Sequence, residues 1–155
     1  MTREEPPAVQ TLKDDQGRVF RETWIAGVRK HYPGEPKPGY VTPWDETPQW
    51  ERQAAAAVYS QVHDFVTVSG GGTSRLTRVQ KGRFVALCWI AQIYKHIEEP
   101  KPGYVADWDD LPEWQQETDA DIFERVEADA WLATARWSPR TPRSGSPRLT
   151  PGAGR

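Results

Sequence analysis

Two stretches of the chain bring cations, an imidazole and two aromatic rings into a short span: Lys30, His31, Lys37, Tyr40 and Trp44, and again Lys95, His96, Lys101, Tyr104 and Trp108. A cation beside aromatic faces suits a nucleotide, a phosphorylated metabolite or an acidic peptide. The charged groups donate strong hydrogen bonds to anionic oxygens, and the rings stack on a flat partner. These ten residues form the candidate ligand-binding set. A purely structural account competes with it: basic groups in a last helical turn complement the helix dipole, histidines can satisfy free carbonyls, and Tyr and Trp can seal a turn against a core.

Other chemistries have less to stand on. The only histidines are His31, His63 and His96, the only cysteine is Cys88, and no spacing among them resembles a zinc site. Asp45 and Asp109 each follow a Trp and precede a helix, where a carboxylate is expected for capping without any acid–base role. Cys88 and His96 do not make a nucleophile pair, because eight residues along a straight helix separate them by about 12 Å. The run Ser69-Gly70-Gly71-Gly72-Thr73-Ser74 lacks the lysine of a phosphate loop, and its position makes it a connector. The chain is therefore expected to have no catalytic residues, no metal and no cofactor, and not to be an enzyme.

The candidate residues recur because the sequence is duplicated. GRVFRETWIAGVRKH, starting at Gly17, and GRFVALCWIAQIYKH, starting at Gly82, share 7 of 15 residues at an offset of 65. After the loss of one residue, PKPGYVTPWDETPQW from Pro36 and PKPGYVADWDDLPEW from Pro100 share 10 of 15 at an offset of 64. Six of the eight tryptophans fall into repeat-related pairs: Trp24 with Trp89, Trp44 with Trp108, and Trp50 with Trp114. The expected organisation is a disordered N-terminus over 1–11, repeat 1 over 12–68, a flexible linker over 69–75, repeat 2 over 76–137 and a disordered basic tail over 138–155.

Each copy reads as a helix, a proline-bounded turn and a second helix. Phe84, Leu87, Cys88, Ala91, Tyr94 and Ile97 keep helical spacing, while Val85, Trp89, Ile90 and Ile93 make the opposite face apolar too, which predicts a helix buried nearly all round. Pro36, Pro38 and Gly39, and their counterparts Pro100, Pro102 and Gly103, stop the first helices. Thr47 is expected to cap the next helix, with Pro48 at its first position, and Asp110 or its neighbour to do so before Pro112. The second helices carry a stripe of Trp50, Ala54, Ala57, Val58, Val62 and Phe65, matched by Trp114, Thr118, Asp121, Ile122, Val126 and Asp129. A unit of about 60 residues is near the lower limit for folding alone. The expected fold is mainly α: two helix-turn-helix units with short extended segments, packed on each other as a pseudo-twofold pair.

The run from Pro43 to Gln53 (PWDETPQWERQ), its counterpart from Trp108 to Glu117 (WDDLPEWQQE) and the preceding apolar helices resemble the RyR-type repeat. That module is named from ryanodine receptors and also occurs in stand-alone bacterial and phage proteins. The resemblance implies a mainly helical module used in tandem, without a catalytic role, in a cytosolic setting, with a part in binding a small ligand or another protein surface.

Charge sets the remaining bounds. Twenty Lys and Arg against 22 Asp and Glu leave a formal charge of −2, which argues against a nucleic-acid binder relying on bulk charge. Residues 76–137 carry 7 basic and 12 acidic groups, so the face holding Glu117, Asp121, Glu124 and Glu127 is a candidate dock for a basic protein partner. Residues 138–155 hold four arginines and no acid, and three Ser/Thr-Pro-Arg units there could touch nucleic acid only weakly. No apolar run is long enough to span a membrane, and a single cysteine with no secretory leader predicts a cytoplasmic setting. The expected function is non-catalytic binding of a small anionic or nucleotide-like ligand in repeat-related pockets, with a protein-interaction adaptor as the alternative.

Overall fold

The computed structural model describes residues 4–136, and four helices account for most of them: α1 (Pro7–His31), α2 (Gln49–Val68), α3 (Arg78–His96) and α4 (Glu113–Arg136). Two short 3-10 turns, Pro38–Val41 and Trp44–Glu46, link α1 to α2; Pro102–Val105 and Trp108–Asp110 take the same places between α3 and α4. The fold is mainly α, and among the described residues there is no strand. The proline-bounded turns at PKPGYV each contain a 3-10 turn. Lys37 and Lys101 enter them with nearly identical angles (φ −60°, ψ 140° and φ −61°, ψ 140°). Each turn is closed by a 2.9 Å bond, from the Tyr40 amide to the Lys37 carbonyl and from the Tyr104 amide to the Lys101 carbonyl. The proline that follows each lysine presets φ for the turn.

The helix ends correct several expectations. α1 begins at Pro7, so residues 7–11 are helical rather than disordered; Pro7 occupies the first helical position, where its missing N–H costs nothing. Thr47 does not cap α2. Its hydroxyl is taken by the Pro43 carbonyl at 2.8 Å, and the helix begins at Gln49, after Pro48. Asp110 likewise closes a 3-10 turn and α4 starts at Glu113. A side-chain cap does appear on α3, where Thr77 and Gln80 form a reciprocal capping box. The connector is ordered as well: Gly72–Arg75 is a 3-10 turn, Thr73 is buried, and the Ser69 hydroxyl donates to the Val66 carbonyl at 2.7 Å. The basic tail, 138–155, lies outside the described residues.

Within each copy the two helices pack together, α1 on α2 and α3 on α4. Across copies α1 packs on α4, α3 on α2, and α2 on α4. One core results, drawing Phe20 from α1, Val58 and Val62 from α2, Val85 and Cys88 from α3, and Ile122, Phe123 and Val126 from α4. α3 is not buried all round: Leu87 and Tyr94 are each 60 % exposed, because its neighbours cover only the face with Val85, Cys88 and Ile93. The duplication persists at atomic detail. A Cβ on Gly17 would lie 2.5 Å from the Cη2 atom of Trp44, and one on Gly82 would lie 2.5 Å from the Cη2 atom of Trp108. Each glycine thus makes room for the indole of its own copy. Arg18 pairs with Asp45 and Arg83 with Asp109 in the same way, on the surface. No described helix is long and apolar enough to cross a membrane.

Candidate ligand-binding cavity

The two PKPGYV turns fold back onto their own first helices and face one cavity of about 730 Å³ shared by both copies. That volume is in the range of small-molecule sites, roughly 300 to 1,000 Å³. Its wall is built from repeat-related pairs: Trp24 with Trp89, Lys37 with Lys101, Gly39 with Gly103, Tyr40 with Tyr104, and Trp50 with Trp114. Phe20, Arg21, Ile90 and Ile93 add to it from α1 and α3, and Glu51 and Asp119 from α2 and α4.

The two halves differ. On the repeat 1 side the Trp24 indole donates to the Tyr40 carbonyl at 3.0 Å, and Arg21 donates to the carbonyls of Thr42 at 3.0 Å and Gly39 at 3.1 Å, pinning the turn. Tyr40 then packs tilted against Trp114 at 5.5 Å, with Tyr32 and Trp24 edge-on to the same indole at 5.0 and 5.8 Å. The repeat 2 side lacks this nest. Ala86 stands where Arg21 does and Ile97 where Tyr32 does. Tyr104 is left 52 % exposed and Trp89 stacks instead on Phe20, at 5.7 Å and 11°. One half of the cavity is therefore filled by its own rings and the other is open.

The charged groups of the wall differ in exposure. Lys37 and Lys101 are exposed at its edge, each with its ammonium near the following tyrosine ring, 5.8 and 5.9 Å from the centroids. Arg21 is buried, and desolvation pulls its pKa below the ordinary value while Glu51 works in the opposite direction; a guanidinium stays cationic through such a shift. Asp119 is only 6 % exposed, and desolvation pushes its carboxyl well above the usual range. No hydrogen bond joins its side chain to any described residue. The equivalent residue of repeat 1 is Ala55, part of the core, so a carboxyl stands where the other copy has a methyl.

Four of the ten candidate residues, Lys37, Tyr40, Lys101 and Tyr104, line the cavity. The other six do not. Lys30 and Lys95 project into solvent. His31 reaches α4, with its Nε2 atom 2.8 Å from the Asp121 carboxylate. The His96 ring lies 6.1 Å from Trp50, and its buried Nε2 has no partner. Trp44 and Trp108 sit on Gly17 and Gly82. The physical reason is the chain reversal after each first helix: the turn returns toward Trp24 or Trp89, one to two helical turns upstream of the Lys-His end, so sequence neighbours part company.

Trp24, Trp89, Trp50 and Trp114 belong to the wall, which their pairing in sequence does not reveal, since pairing does not say whether an indole faces core or cavity. Arg21 and Asp119 had a different signal, since each is a charged side chain where the other copy has alanine. The proposed acidic dock is occupied internally. Arg78 binds Glu117, Asp121 and Glu124, each at 2.9 Å, and Lys81 binds the buried Glu127 at 2.9 Å. Among the described residues no cluster of three His, Cys, Asp or Glu side chains could hold a metal ion. Comparison with family models, curated proteins and solved structures returned no match.

Proposed function

We propose that this chain is a non-catalytic binding module of tandem RyR-type repeats, whose two copies, related by an approximate twofold, enclose a single cavity for a small anionic, nucleotide-like ligand. The observation that carries this is one cavity walled by Trp24, Trp50, Trp89 and Trp114 with Lys37 and Lys101 at its edge. Indole faces favour a flat ring, and each stacked base contributes about 1 to 3 kcal/mol. The two ammonium groups favour an anion where it emerges into solvent. The twofold relation is supported by the reciprocal packing of α1 on α4 and α3 on α2, and by the matched backbone of the two turns.

The reading differs from independent pockets in each repeat because both turns contribute to the same wall. It is favoured over the adaptor because the carboxylates of repeat 2 already hold Arg78 and Lys81.

Titration of the full chain with nucleoside monophosphates, followed by calorimetry and tryptophan emission, tests it. One site per chain, quenched emission and recovery of unaltered nucleotide are expected. Lys37→Ala with Lys101→Ala should weaken binding about tenfold or more at low salt, with a smaller effect at high salt. Absence of heat and unchanged emission across the whole panel would remove the proposal.

A further inference from the structure

Asp119 brings a carboxyl to the cavity wall, and no hydrogen bond joins that carboxyl to any described residue. Asp119 lies on α4, one helical turn beyond the wall residue Gln115 and 94 % buried by its 6 % exposure, whereas Lys37 and Lys101 are exposed at the mouth. A carboxyl largely withdrawn from water and not held by another described side chain is free to hydrogen-bond a ligand in the cavity. The cavity wall offers a buried carboxyl, indole and phenol rings, and two exposed ammonium groups.

We propose that Asp119 reads the polar edge of the ligand's ring: the cavity takes a purine-type heterocycle whose edge presents a hydrogen-bond donor beside an acceptor, with the ligand's anionic group held outward by Lys37 and Lys101. This rests on the nucleotide-like reading above and narrows it.

A cationic ligand would also suit an aromatic box with a carboxylate, as quaternary ammonium sites show. Here Arg21, Lys37 and Lys101 surround the space against a single further acid, Glu51, and repel a cation. Burial keeps the Asp119 carboxyl protonated well above the usual carboxylate range. A neutral carboxyl donates through its O–H and accepts through its C=O side by side. It is thus the complement of an amidine edge (ring nitrogen beside an amino group) or a lactam edge (carbonyl beside a ring N–H). A ring without a donor leaves the carbonyl oxygen unpaired. The purine size follows from the volume, about 730 Å³, which has room for a bicyclic ring.

The test is calorimetry of the full chain with adenosine and inosine monophosphates, which carry such edges, and with purine riboside monophosphate, which lacks the exocyclic group. The edge-bearing nucleotides should bind about tenfold or more tightly than purine riboside monophosphate. Asp119→Asn keeps a donor beside an acceptor and should preserve that ratio; Asp119→Leu should abolish it.

Raising the pH through the elevated pKa of the carboxyl should weaken binding to the natural chain more than to Asp119→Asn, since the ionisation of the ligand's phosphate is common to both. The other ionisable wall groups, Arg21, Lys37, Tyr40, Glu51, Lys101 and Tyr104, are common to both proteins, and α3 contributes none. Equal binding of all three nucleotides to the natural chain would overturn the role of Asp119 while leaving nucleotide binding intact. No binding by any of them, or binding of choline instead, would overturn both. The Asn variant and the pH comparison keep the question decidable if the Leu variant does not fold.

Discussion

The Nε2 atom of His31 lies 2.8 Å from the Asp121 carboxylate, tying the end of α1 in one copy to the middle of α4 in the other. The mirror-image tie is missing. His96, at the end of α3, has a buried Nε2 without a partner, and the residue of α2 equivalent to Asp121 is Ala57.

Ala57→Asp should therefore supply the absent acceptor. The expected gain is about 1 kcal/mol near neutral pH, the net worth of a hydrogen bond to a charged group less the cost of holding it. Thermal unfolding measures it, and His96→Ala in the same background should remove the gain. An unchanged or lowered Tm in Ala57→Asp would show that the copies do not reciprocate here.

Asp121 itself makes stability depend on acid. Burial would raise its pKa, but hydrogen bonds from His31 and Arg78 outweigh that and hold it below the ordinary carboxylate value. A depressed folded pKa means the contribution is complete above the unfolded value, about 3.9, and is lost as pH falls through the folded value. Asp121→Asn should cost about 2 kcal/mol at neutral pH, and the gap from the natural chain should narrow as pH falls below the unfolded value, about 3.9, and through the folded one. Urea unfolding across that range checks both limits.

Gly17 and Gly82 should be equally intolerant of alanine. The added methyl would meet the indole at 2.5 Å and a backbone atom at 3.2 Å in both copies. Overpacking of this kind costs about 1 to 3 kcal/mol, more than the roughly 1 kcal/mol that alanine adds in helix propensity. Denaturant midpoints should fall in both single variants, and the losses should add in the double variant within about 0.5 kcal/mol because the two sites share no partner.

Arg21 ties one turn to α1 through two backbone carbonyls. Replacement by alanine removes two bonds from a buried guanidinium to the Gly39 and Thr42 carbonyls and should cost about 2 kcal/mol. Before any mutation, the Tyr104 amide should exchange with solvent faster than that of Tyr40, although both close the same turn with a 2.9 Å bond. Arg21→Ala should bring the Tyr40 rate up toward that of Tyr104. Equal rates in the natural chain would contradict the asymmetry.

Repetition and periodicity determine much of this protein. The duplication, the helix–turn–helix order, the breaks after His31 and His96 and the apolar stripe of α2 are local properties, written in residues that must agree with their neighbours. Tertiary structure decided the rest. Periodicity tells which face of a helix is buried and not what covers it, so only the crossing of α1 on α4 sends His31 to Asp121, away from the cavity. Only the return of each turn along its own helix brings Lys37 and Lys101 to one mouth. Asp119 reads in sequence as one more acid on an acidic helix; removal from water, in the wall of a cavity lined by both copies, is what changes its chemistry.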